Sequence, residues 1–157
     1  MQCLFLDLED TIITPVVQGW NNTELINVHK IQNFIKSYQP DTLNIFSFAI
    51  HDDYNYRMFK TSGTLDMIER ALGMEIQMIP TVERMIIKYA QNMKLHRHSL
   101  DFIEFVQLIG KQNAFRHYVY SLNQKDNEYV LLDDVVVRES FRFKNISGEI
   151  YNINEDI

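Results

Sequence analysis

The chain has 157 residues, 46% of them hydrophobic and 23% charged, enough for one compact core and too apolar for a disordered segment. Its 15 Lys and Arg against 21 Asp and Glu give a formal net charge of −6, which disfavours general nucleic-acid binding while leaving room for a local basic patch. Cys3 is the one cysteine, so an intramolecular disulfide and a multi-thiolate metal site are excluded. No apolar stretch approaches the ~18–20 residues of a membrane span. Asp7 interrupts the apolar start too early for a signal peptide. A soluble cytoplasmic protein with no membrane association is the expectation.

Residues 3–8 (Cys-Leu-Phe-Leu-Asp-Leu) form an apolar run that leads into a cluster of acids, the pattern of a buried parallel strand. Pro15, Gly19 and Asn21-Asn22 mark residues 12–23 as a loop or small hairpin. Leu25, Val28, Ile31 and Ile35 recur at helical spacing before Pro40. Residues 43–50 read as a second strand, Leu65, Ile68 and Leu72 as a helix stopped at Gly73, and Met74, Ile76 and Met78 as a short third strand. Two helical patterns fill 81–109, a stretch that suggests a helical insertion. A further helix is expected at about 111–122, and Tyr129-Val-Leu-Leu132 is a fourth strand ending on Asp133-Asp134. The tail, 135–157, has strand-like character without a firm assignment.

Strands that alternate with helices predict an α/β fold, a single domain over 1–157 built on a mostly parallel Rossmann-like sheet flanked by helices. In such sheets ligands bind at the carboxyl ends of the strands. Asp7, Asp133 and Asp134 sit at such ends, and neighbouring first and fourth strands would bring them together. Crowded carboxylates favour protonation or a bound cation, and an all-oxygen set suits Mg²⁺. Any single Asp at a strand end equally serves as a turn or helix cap.

Asp7-Leu8-Glu9-Asp10-Thr11 after an apolar strand resembles the opening motif of the haloacid dehalogenase (HAD) superfamily. Ser47, Lys111 and Asp133-Asp134 follow in the order of that family's Ser/Thr, Lys/Arg and terminal acidic motifs. The resemblance implies a HAD-like fold with at most a small helical cap, and a Mg²⁺-dependent phosphohydrolase. Asp7 would be the nucleophile that becomes an aspartyl-phosphate, and Asp7, Asp133 and Asp134 the metal site, with Asp134 orienting a metal-bound water. Ser47 would hydrogen-bond the phosphate and Lys111 would balance its charge, with Arg116 and Lys125 as rivals for that role. The substrate would be a phosphorylated small molecule or nucleotide.

Glu9 departs from the family pattern, which has Asp as the general acid and base at this position. Strand alternation puts Glu9 on the Asp7 side; Asp10, the substitute acid, would point the other way on a regular strand, but the chain departs from strand geometry there, which keeps it open. The extra methylene displaces the carboxyl by ~1.5 Å, and a shift of about 1 Å costs on the order of a hundredfold in rate. A catalytically weakened binding module is therefore the alternative. It would sequester a phosphorylated ligand or engage a protein partner, and the Asn-, Ile- and Tyr-rich composition hints at a viral source and a host-interfering role. A polynucleotide 3′-phosphatase is a narrower enzyme reading. His96 and His98 around Arg97 read as surface residues, Phe115, Tyr118 and Tyr120 as a core face in preference to a base-stacking one, and Trp20 as packing on its own domain.

Overall fold

The computed structural model of the chain describes residues 1–96, 100–124 and 126–157. A five-stranded sheet in the order β2-β1-β3-β5-β4 is built from β1 (Gln2–Leu6), β2 (Thr42–Ile45), β3 (Glu128–Asp133), β4 (Glu139–Phe143) and β5 (Ile146–Asn152). β1, β2, β3 and β5 run parallel, and β4 pairs antiparallel with β5 at the edge. Successive strand residues point to opposite faces, so β1 feeds both halves of the core. Leu4 and Leu6 join Ile31, Phe59, Ile68, Leu72, Val130 and Leu132, under α1 (Val28–Tyr38), α2 (Asp53–Thr61) and α3 (Thr64–Leu72). Cys3 and Phe5 join Val82, Met85, Phe115, Tyr118, Tyr129 and Leu131, under α4 (Val82–Asn92) and α6 (Gly110–Ser121). Between these two helices lie a single turn, α5 (Phe102–Glu104), and a π-helical turn over Phe105–Ile109.

The α/β expectation holds at the level of a mostly parallel sheet covered on both faces. α4 belongs to one of those faces: its buried Val82, Met85, Ile86 and Ala90 pack with residues of α6 and of the sheet. Several elements differ from expectation. The second strand stops at Ile45, and residues 46–50 turn away from the sheet. The third strand reduces to one bridge, Leu43 to Ile76, with backbone bonds from Gln77 N to Leu43 O at 2.9 Å and from Ile45 N to Met78 O at 2.8 Å. Glu69 Oε2 accepts from Ile76 N at 2.7 Å and Asn44 Oδ1 from Met78 N at 3.1 Å. The helical pattern from Leu25 becomes regular only at Val28, since Leu25 pairs with Ile13 in an antiparallel bridge. α2 was not expected at all. The tail forms the β4–β5 hairpin, and Trp20 is buried against Phe59 with its indole N–H on Asn55 Oδ1 at 3.1 Å.

Candidate active site

Parallel pairing sets the site. Asp7 N donates to Leu132 O at 3.0 Å and Phe46 N to Leu6 O at 2.8 Å, so the chain leaves β1, β2 and β3 along one edge, at the carboxyl ends of three adjacent strands. Asp7, Asp133 and Asp134 each bring a carboxylate oxygen within 4.8 Å of the others. Lys111, from the first turn of α6, reaches the same point with Nζ 3.0 Å from Asp7 Oδ1 and 3.8 Å from Asp133 Oδ1. Its ammonium also lies 4.8 Å from the Phe48 ring centre, a cation–π contact that favours the charge in an enclosed place. Ser47 lies just beyond β2 on the same edge, and its Oγ accepts from Ala49 N at 3.1 Å, which leaves its own proton free to donate outward.

Together these groups line a cavity of about 340 Å³ whose walls also include Glu9, Asp10, Phe48, Val106 and Val135. The six residues singled out from the sequence, Asp7, Glu9, Ser47, Lys111, Asp133 and Asp134, thus share one cavity. Arg116 does not: it pairs with Glu139. Lys125 and His98 lie outside the described residues. The Phe115 and Tyr118 rings are buried in the core. Sequence reading missed Thr11, which donates to Asp7 Oδ2 at 3.2 Å although it stands inside the motif. It also missed the apolar wall of Val106 and Val135, for which no sequence signal exists.

The loop after β1 corrects the alternation argument. Strand geometry ends at Leu6, and the Leu8 carbonyl accepts from Thr11, Ile12 and Ile13 N in a tight reversal with Asp10 at φ +61°. An Asp tolerates this left-handed conformation. Asp10 thereby joins Asp7 and Glu9 on the cavity wall, where a regular strand would have turned it away. Glu9 Oε2 accepts from Val16 N at 2.8 Å, so the longer side chain is put to use holding the following loop.

Electrostatically the cluster divides into unlike members. Burial alone would raise Asp7, but the Lys111 charge and contacts with Asp133, Lys111 and Asp134 outweigh it and hold this carboxyl below the usual range. Burial, opposed by Lys111 and reinforced by Asp7, pushes Asp133 up to about 9. Asp134 is raised by burial and by Asp7. Lys111 would be depressed by burial, yet Asp7 and Asp133 raise it. The result is an ionised Asp7 beside an ammonium, and an Asp133 poorly served as an anion. Both oxygens of Asp133 are buried with no hydrogen-bond partner among the described residues, an expensive arrangement unless something further satisfies them.

Comparison of the chain with protein-family models, curated proteins and solved structures found no match. No helix among the described residues is long and apolar enough to cross a membrane.

Proposed function

We propose that the chain is a HAD-like phosphohydrolase that cleaves a phosphate monoester of a small molecule or nucleotide through an aspartyl-phosphate on Asp7. The observation that carries this reading is the meeting of Asp7, Lys111, Asp133 and Asp134, far apart in sequence, in one cavity at the carboxyl edge of the sheet.

The orphaned oxygens of Asp133 and the all-carboxylate donor set fit a hard divalent cation. Mg²⁺ held by Asp7, Asp133 and Asp134 would supply the positive charge that allows an anionic nucleophile to approach an anionic phosphate. The chain's own groups do the rest. Thr11 and Lys111 each hold one oxygen of Asp7, fixing the plane of the carboxylate. An Asp7 oxygen forms the new bond to phosphorus as the ester bond breaks, and Glu9 gives a proton to the departing oxygen. Water then attacks phosphorus, passes a proton to Glu9 and frees Asp7 with release of inorganic phosphate. Ser47 donates to a phosphate oxygen, and the Lys111 ammonium offsets the charge left over.

Phosphate release from a panel of monoesters tests this. Turnover is expected to require Mg²⁺ and to fall by at least about a thousandfold in Asp7→Asn. Turnover that survives Asp7→Asn contradicts the mechanism.

A second reading is favoured by one observation, the engagement of Glu9 by Val16 N–H, which ties down the proposed proton carrier. In that case the site is a binding module for a phosphorylated ligand or a protein partner. Calorimetry would then show tight binding of a ligand that mass spectrometry recovers unchanged.

A further inference from the structure

Asn152 closes β5 directly opposite Asp133 in the parallel register. Its side chain is buried, at 8% exposure, and its amide is fully used. Nδ2 donates to the carbonyl oxygens of Asp134 at 3.1 Å and Val136 at 3.0 Å. Oδ1 accepts from Asn154 N at 2.8 Å. The backbone beside it continues the hold, with Ile153 N on Asp133 O at 2.8 Å. The carbonyls of Asp133, Asp134 and Val136 are therefore all gripped by the last turn of the chain. That turn is itself fixed: Asp156 Oδ2 accepts from Asn152 N at 2.7 Å and Lys30 Nζ donates to Ile153 O at 3.0 Å.

Packing fixes only the middle of the segment, through Val136, and Gln112 holds its far end by bonding Val137 N and O. Val135 and Val137 are 74% and 72% exposed, and only Val136 between them is buried. A segment whose side chains mostly face water keeps its path through backbone hydrogen bonds. The direction of the Asp134 carboxylate follows from where its own carbonyl is held. We propose that Asn152 is a positioning residue for the acidic doublet: it sets the Asp133–Asp134 backbone in the arrangement that binds a divalent cation. The inference rests on the reading of Asp7, Asp133 and Asp134 as the cation site. Groups that orient metal ligands without touching the metal are typically worth about 10–100-fold in affinity.

The test is calorimetric titration of the full chain with Mg²⁺, using Asn152→Leu, which keeps the branched outline but has no donors, and Asn152→Ser, which is smaller and keeps one. Measurements are made well below both thermal midpoints, on protein shown to be folded by circular dichroism. The expected result is a dissociation constant raised about 10–100-fold in Asn152→Leu and by less in Asn152→Ser. Amide hydrogen exchange should quicken over 134–137 while the strands keep their protection. Should Asn152→Leu not fold, Asn152→Ser carries the comparison. A wild-type constant retained in the folded variants, with exchange faster across the whole chain, would make Asn152 a structural residue only and overturn the proposal. Absence of Mg²⁺ binding by the wild-type protein would overturn the cation site beneath it, a different failure.

Discussion

At the scale of single residues, Asp133 carries the largest unmet cost. Its carboxylate is fully buried, both oxygens lack hydrogen-bond partners among the described residues, and the neighbouring ammonium stands at 3.8 Å, beyond hydrogen-bond length. An amide in its place has no charge to desolvate and offers a donor toward Asp7. Asp133→Asn is therefore expected to stabilise the cation-free protein by about 1–3 kcal/mol while removing Mg²⁺ binding. Urea denaturation in the presence of a chelator, paired with a Mg²⁺ titration, checks both halves. These residues were legible in the sequence because a strand-terminal acid needs only a parallel neighbour to become part of a cluster. Glu9 was legible as a residue but not in its geometry. Its bond to Val16 N depends on a reversal around the Leu8 carbonyl that no alternation rule foresees.

The elements show why some of the fold was readable and some was not. β1 and β3 are apolar on both faces and announce themselves, as does α3 with its regular apolar stripe. α2 buries only Phe59, so it lacks a periodic signal. Its visible mark is Asp52, whose side chain caps Asn55 N at 3.0 Å. The β4–β5 hairpin turns on Lys144 and Asn145, both at positive φ, without the Asn-Gly pair that usually advertises such a turn. Burial alternates along β5 without a break, but its inward position 148 is a glycine with no side chain to signal it, because a Cβ there would fall 2.5 Å from Tyr129 O and 2.6 Å from the Phe141 ring. Lys111 depends on the residue that opens α6. Gly110 takes φ +78° and ψ 168°, a region essentially reserved for glycine. A Cβ there would meet nothing within 4 Å, so the penalty for a side chain is conformational. Gly110→Ala is expected to cost about 1–3 kcal/mol, and to lower the turnover proposed for this site by more than its loss of stability explains, since Lys111 is the next residue. Thermal denaturation alongside kcat measurement separates the two effects.

Over the whole molecule, a buried histidine ties stability to pH. The face under α4 and α6 contains His117, buried between the Tyr89 and Phe143 rings, with Asn92 Nδ2 3.4 Å from its Nδ1. Burial, followed by the charges of Lys144 and Arg116, lowers its pKa below the ordinary histidine value. The unfolded chain therefore takes up the proton first as pH falls. The stability this histidine contributes is fully present above about 6.5 and is lost as pH drops through the lower folded-state value. His117→Gln is expected to be less sensitive than wild type to a change from pH 7.5 to pH 5, as judged from denaturation midpoints at the two values. An equal loss in both proteins would assign the acid sensitivity elsewhere.

The central claim, that the cavity at the strand ends transfers phosphate to Asp7, is tested most directly by rapid acid quench of the protein with a phosphate monoester and Mg²⁺, followed by peptide mass spectrometry. One phosphoryl group is expected on the peptide bearing Asp7, absent without Mg²⁺ and absent in Asp7→Asn. Phosphate released in full by wild type with no phosphorylated Asp7 peptide at any quench time, or released equally by Asp7→Asn, would contradict it.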